Sequence, residues 1–323
     1  MPRQVATDSP HVSVIVLLYD EVDSVEPLHR ELIGVLDGLG TSFEVVYIDD
    51  GSRDGSSEKL GVLAARDARV RVVSFRRNFG HAAAVQAGID HSRGAILIFM
   101  DGDMQNDPHD IPHLLQKVDE GYDMVSGWRR DRRPNAIRLL ASTIANWIIG
   151  SVTGVSLSDF GCTLKAYRRE VIGGVKVHSE MHGRLLPAYA SMVGARITEL
   201  PVNHRPRTYG KSKRSLWRDS RVILDLISFR LLGGSSTRPM YTFGYAAIAL
   251  WAAAAVVIAV AIVERVLWLS LLSVALVIVG VQLLVGGLLA ELLVDSQQRP
   301  VYVVREVIER ASHEKPAEVR QVS

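Results

Sequence analysis

Cys162 is the only cysteine among 323 residues, which excludes an intrachain disulfide and leaves no basis for a cysteine-built zinc site. A net charge of +2 gives no global field of the kind that gathers nucleic acid, so no nucleic-acid partner is expected. No G-x-G-x-x-G follows the first apolar run and no G-x-x-x-x-G-K-[ST] occurs, which disfavours a dinucleotide cofactor and a P-loop. The apolar run from Val12 to Tyr19 is too short for a leader and runs into Asp20 and Glu21, as a buried strand does. Charge itself is missing from two long stretches, Tyr241 to Val263 and Val266 to Ala290. Each exceeds the roughly 20 residues that cross a hydrocarbon core.

Only Glu264 and Arg265 separate those stretches, so a helical hairpin is expected, with both flanks on one side of a membrane. Lys211, Lys213, Arg214, Arg218, Arg221, Arg230 and Arg238 precede it, and Arg299, Arg305 and Arg310 follow. The positive-inside bias then places the N-terminal domain and both termini in the cytoplasm of a multi-pass inner (plasma) membrane protein. Ser215 to Leu232 carries Leu216, Trp217, Ile223, Leu224, Ile227 and Leu231 at helical spacing. It is expected to lie in the membrane interface, with a domain-packing helix as the alternative. The expected organisation is a soluble domain over 1–214, an interface helix over 215–237, two spans within 238–292 and a tail over 293–323.

Within the soluble domain, strands are expected at Val12 to Leu18, Glu44 to Ile48, Val70 to Ser74 and Ala95 to Phe99. Helices are expected between them at Val22 to Leu39, Ser57 to Arg66 and His81 to His91. Alternation of near-continuous apolar strands with helical patterns predicts an α/β, doubly wound, mostly parallel sheet. Ligands bind such sheets at the carboxyl ends of the strands, where the polar clusters fall here.

The sharpest cluster is Asp101-Gly102-Asp103-Met104-Gln105. An extended backbone points residues i and i+2 to one side, so Asp101 and Asp103, with Gln105 beside them, suit Mg²⁺ or Mn²⁺ that keeps room for a diphosphate. An EF-hand loop fails because Asn106 stands where Gly is required and Pro112 where Glu is. Asp49-Asp50-Gly51-Ser52-Arg53-Asp54-Gly55 fits either a receptor for a nucleobase or ribose, or simply a well-made turn. His81 reads as a diphosphate contact or a cap, and Cys162 as buried packing.

In order, Leu18-Tyr19-Asp20-Glu21, Asp49 to Gly55, Arg77-Asn78-Phe79-Gly80-His81, Asp101 to Gln105, Ser158-Asp159-Phe160-Gly161-Cys162 and Arg205 to Lys213 resemble the motifs of the family 2 glycosyltransferases. Among these, the resemblance is to the polyprenyl-phosphate sugar synthases, the dolichyl-phosphate mannose synthases and bacterial bactoprenol glucosyltransferases. One departure stands out: Leu17-Leu18-Tyr19-Asp20-Glu21 replaces the usual Pro-x-Tyr-Asn-Glu. The resemblance implies a GT-A fold and inverting, metal-dependent transfer of a hexose, UDP-glucose favoured and GDP-mannose next, to a polyprenyl phosphate such as undecaprenyl phosphate. It implies that Tyr19, Glu21, Asp50, Asp101 and Gly102 hold the nucleotide-sugar, and that Asp101, Asp103 and Gln105 hold the metal. Asp159 would lie by the sugar and attacking group, orienting more than acting as a base. Arg129, Arg138 and Ser142 would contact the acceptor phosphate, with Arg207 and Lys211 closing over it, in a homotetramer. A processive polysaccharide synthase is disfavoured by the lack of Gln-x-x-Arg-Trp, and a non-catalytic scaffold by the intact Asp101-Gly102-Asp103.

Overall fold

The computed structural model describes residues 9–130, 146, 149–151, 153–175, 177, 180–206, 239–296 and 302–309. Four strands form the centre: β1 (Val12–Leu18), β2 (Phe43–Asp49), β3 (Val70–Phe75) and β4 (Ile96–Asp101). They lie parallel in the order β3-β2-β1-β4. Three helices connect them: α1 (Val22–Asp37), α2 (Ser56–Arg66) and α3 (His81–His91). These seven elements match the expected ones to within a few residues.

Every residue of β1 is buried because both sheet faces are covered. Val12, Val14 and Val16 face Leu28, Leu32 and Leu36 of α1, while Ile15 and Leu17 face Ala83, Ala87 and the rest of α3. The period-two alternation of a strand thus feeds two separate cores. Each leucine of the α1 stripe contributes on the order of 2 kcal/mol by burial.

Beyond β4 the sheet turns mixed. After α4 (Ile111–Asp119) come β5 (Met124–Trp128), β6 (Lys165–Arg168), α5 (Arg169–Ile172), α6 (Glu180–Met192) and β7 (Ile197–Pro201). β6 pairs antiparallel with β4 and with β5, and β7 runs parallel to β5. The last strand, β8 (Val304–Glu309), pairs antiparallel with β3. It comes from the stretch expected to be a tail. Glu309 bridges Arg71 at 2.6 Å and Arg93 at 3.1 Å, and the Tyr302 ring stacks on Phe75 at 5.0 Å.

A second compact unit holds the hairpin: α7 (Pro239–Glu264) and α8 (Leu267–Ser296), slightly longer than the expected spans. Ala247, Ala254 and Ala261 recur every seventh residue and are buried on the inner side of α7. Ser273, buried on α8, donates to the Ala254 carbonyl at 2.9 Å. Gly280 and Gly287 continue its heptad, and a Cβ there would stand 2.3 Å from Trp251 and 2.7 Å from Phe243. Small residues admit large ones across the seam, the packing that lipid-embedded helices use. Tyr245, Ile262, Val263 and Leu267 point outward, at least 71% exposed, which with the length and apolarity of both helices makes the pair a candidate membrane hairpin. The expected interface helix over 215–237 lies outside the described residues.

Candidate active site

Acidic loops leave the carboxyl ends of β1, β2 and β4. Those after β1 and β2 are knitted together. Asp49 accepts the Ser52 amide at 2.9 Å and the Ser57 hydroxyl. Asp20, at φ 51°, accepts the Arg53 amide at 2.8 Å, and its own amide donates to Ser52 Oγ at 2.9 Å. Asp54 accepts the Val22 amide at 2.9 Å and the Ser56 hydroxyl at 2.6 Å, and Ser56 Oγ accepts the Glu21 amide at 3.1 Å. Gly51 is required where it stands. Its φ is +73°, and a Cβ would come 2.4 Å from the Arg77 carbonyl carbon.

Asp50, expected to hold the nucleoside, accepts the amides of Phe79 at 2.6 Å and Gly80 at 2.9 Å. Burial pushes its carboxyl up to about 6 against the pull of those amides. Asp50 therefore pegs the loop that opens α3 and presents His81. Glu21 lies buried beside the same loop system, with Tyr19 half-buried. Of the two readings for Asp49 to Gly55, the turn is plainly realised.

Asp101 ends β4. Its amide donates to Asn106 Oδ1 at 3.0 Å, and Met104 takes φ 61°, folding Gln105 back so that its amide donates to Asp103 Oδ1 at 3.1 Å. One tight turn thus carries Asp101, Asp103 and Gln105, a hard oxygen set suited to Mg²⁺ or Mn²⁺. Gly102 donates to the Leu17 carbonyl at 2.8 Å, and a Cβ there would meet Leu18 at 2.5 Å, so the turn lies flush against β1. Thr163 Oγ1 donates to Asp101 Oδ2 at 2.6 Å, while His81 Nε2 lies 3.6 Å from Asp101 Oδ1. His81 reaches the carboxylate from the first turn of α3, more than a cap would do.

Glu31, Asp107 and His109 form an acidic group whose ligand atoms lie within 4.8 Å of one another, close enough to hold a metal ion. Here a guanidinium supplies the positive charge: Arg205 bridges Glu31 at 2.6 Å and Asp107 at 2.7 Å. Bonds from Asn203, His109 and Arg205 overcome burial and hold the Asp107 carboxyl at about 2. The first arginine of the basic segment is thus committed to this hub. The Arg205 amide also donates to the Gln105 carbonyl at 2.9 Å, docking the start of that segment on the Asp101 turn. Arg138, Ser142, Arg207 and Lys211 lie outside the described residues.

Arg129 and Asp159 were expected on the acceptor phosphate and beside the sugar. The structure brings them to each other, Nε to Oδ2 at 2.6 Å and Nη2 to Oδ1 at 2.9 Å, with the Gly161 amide also on Oδ1 at 3.0 Å. Both side chains are largely buried, at 8% and 13% exposure. Burial works to raise the Asp159 carboxyl, yet the bonds and charge of Arg129 outweigh it and hold the carboxyl below its usual value. Burial opposes the Arg129 charge in turn, and Asp159 more than restores it. Such a carboxylate is a poor base and a firm anchor. Burial pushes the Cys162 thiol up to about 11, in keeping with packing.

The family model described as glycosyl transferase family 2 matches residues 13–173, from β1 through α5. A Rhizobium johnstonii protein named dodecaprenyl-phosphate galacturonate synthase is 35% identical over 321 residues, covering 94% of this chain and 95% of that protein. The chain belongs to glycosyl transferase family 2. This glycosyltransferase is also 34% identical over 308 residues to the undecaprenyl-phosphate 4-deoxy-4-formamido-L-arabinose transferase of Edwardsiella ictaluri, covering 92% and 94% of the two chains. Among solved structures, glucosyl-3-phosphoglycerate synthase of Mycobacterium tuberculosis, crystallised with Mn²⁺ and UDP-glucose, matches with TM-score 0.50 and 18% identity over 68% of this chain and 79% of its own. A crystal structure of a mycobacterial protein matches with TM-score 0.50 and 19% identity over 68% and 74%. At that identity the likeness establishes the GT-A fold of the family 2 sheet. Sequence reasoning overlooked Thr163, although it follows the Ser158 to Cys162 motif directly, and Asn106, whose amide oxygen caps the Asp101 turn.

Proposed function

We propose that this family 2 enzyme transfers a sugar from a nucleotide-sugar to a polyprenyl phosphate at a membrane surface, with inversion. The observation that carries the reading is joint: relatives named for polyprenyl-phosphate acceptors match over nine-tenths of the chain, and the chain pairs an Asp101-Gly102-Asp103 turn with an apolar hairpin. The phosphate oxygen forms the new bond to the anomeric carbon as the bond to the nucleoside diphosphate breaks. A phosphate monoester has a second pKa of about 6, so it arrives as a nucleophile without a proton to lose. That chemistry asks for no general base, which agrees with an Asp159 held ionised by Arg129.

A divalent ion held by Asp101, Asp103 and Gln105 would offset charge on the departing diphosphate. Tyr19, Glu21, Asp50 and Gly102 are assigned to the nucleotide-sugar side, and Arg138, Ser142, Arg207 and Lys211 to the acceptor phosphate. Arg129 serves that side by fixing Asp159. The hairpin spans the inner membrane, with the sheet and both chain ends in the cytoplasm. Two features support that orientation: the basic flanks, and the connectivity by which β8 rejoins the sheet after the hairpin. We keep the four-part division at 214, 237 and 292 as part of this reading, with β8 counted to the sheet, and subgroup resemblance favours a homotetramer.

The donor follows the relatives more than the subgroup: their names specify galacturonate and 4-deoxy-4-formamido-L-arabinose, where resemblance alone favoured glucose. The test incubates the full chain in lipid nanodiscs with undecaprenyl phosphate, Mg²⁺ or Mn²⁺, and radiolabelled donors carrying galacturonate, formamido-arabinose, glucose or mannose. Label passing into the organic phase with one donor, and its loss with EDTA, is the expected result. No lipid-linked product with any donor and either metal would turn the reading toward a non-catalytic scaffold.

A further inference from the structure

We propose that Thr163 is a positioning residue for the metal centre, setting which oxygen of Asp101 faces the ion. The inference rests on the metal reading above and adds a residue to it. The geometry begins with sheet register. β4 and β6 run antiparallel with Ile96 opposite Arg168 and Phe99 opposite Lys165. Continued by two residues, that register sets Thr163 directly across from Asp101, 62 positions away in sequence. Directly opposed side chains of an antiparallel pair stand close enough to bond.

The bond formed is short, 2.6 Å from the Thr163 hydroxyl to Asp101 Oδ2, as hydroxyl donors to carboxylates are. Threonine is stiff at χ1, so the hydroxyl is aimed by the backbone. Asn106 fixes the amide of the same aspartate. With Oδ2 taken by Thr163, Oδ1 is turned toward His81 at the first turn of α3, whose amides would suit the diphosphate and leave the carboxylate for the ion. Thr163 also stands four residues after Asp159, so one short segment carries both the anchor of Arg129 and the support of the metal ligand. Outer partners of this kind orient a ligand and tune its basicity, and losing one typically weakens metal binding about 10- to 100-fold.

The test measures Mn²⁺ binding by the full chain in detergent, read by electron paramagnetic resonance with and without UDP. Thr163→Val keeps the shape and deletes the donor; Thr163→Ser keeps the donor. Thr163→Val is expected to weaken Mn²⁺ affinity by about tenfold or more, with Thr163→Ser staying within about threefold of wild type. In transfer assays the Val variant raises the Mn²⁺ concentration for half-maximal rate, while the rate at saturating Mn²⁺ returns close to wild type. Unchanged melting temperatures exclude a folding defect, and Thr163→Ala, which also deletes the donor, carries the comparison if the Val variant melts low. Wild-type affinity in folded Thr163→Val, beside lost binding in Asp101→Ala, overturns the role of Thr163 alone. Absence of Mn²⁺ binding in the wild type overturns the metal reading and this role together.

Discussion

At the end of β2, Asp49, Asp50 and Asp54 bind backbone amides and serine hydroxyls of the neighbouring loops. At the end of β4, Asp101 takes the hydroxyl of Thr163, and Asp103 closes a single turn on the Gln105 amide. In sequence the two clusters look alike, acids and glycine after an apolar strand. In the fold the first cluster is bonded into the loops around it, and the second sets Asp101 and Asp103 on one short turn. The difference lies in partners: a carboxylate held by several amides gains rigidity and positions the loop it binds.

The comparison breaks most visibly through Asp101→Ala. Transfer should fall by about 10³-fold or more, on the order of 4 kcal/mol of transition-state stabilisation, with the melting temperature nearly unchanged. An equal, fold-neutral loss in Asp50→Ala would erase the distinction between the clusters. Gly51→Ala probes the scaffold. With φ at +73° and Arg77 backbone 2.4 Å from a new Cβ, it should cost about 2–3 kcal/mol of stability, read as a drop of several degrees in melting temperature. Activity per folded molecule should fall far less than in Asp101→Ala.

The smallest effect concerns pH. The Asp50 carboxyl is raised to about 6, so the folded chain holds a proton that the unfolded chain has already released. That proton's stabilising contribution is complete below the unfolded carboxylate value and is lost as pH climbs through about 4 to 6. Asp50→Asn should remove this slope. Melting temperatures taken at pH 4.5 and 6.5 should differ between wild type and variant by about 2–4 °C, the equivalent of roughly 1 kcal/mol.

The central strands and the first three helices were legible because burial on both faces writes itself as unbroken apolar runs. The turn that carries Asp101, Asp103 and Gln105 was legible for a local reason, since its residues are neighbours in the chain. Partners distant in the chain were not. Nothing in Val304-Arg305-Glu306-Val307-Ile308-Glu309 announces a strand until β3 supplies its edge and Arg71 and Arg93 supply charge to Glu309. Arg129 reads as a cation for a phosphate, and Arg205 opens the basic segment that holds Arg207 and Lys211. Only the fold reveals that Asp159, 30 residues away, and Glu31, 174 away, hold them. Charge in a sequence has a sign and a place in the chain, and its partner comes from topology.

β8 also imposes an order of events during translation. Ribosomes release the chain from its beginning, so both apolar helices emerge before Val304–Glu309 does. The β3 edge therefore stays open until the hairpin has been made, and an open edge is a template for unwanted pairing. Completion of the sheet waits for Val304–Glu309, so the β3 edge is the last part of the sheet to be covered.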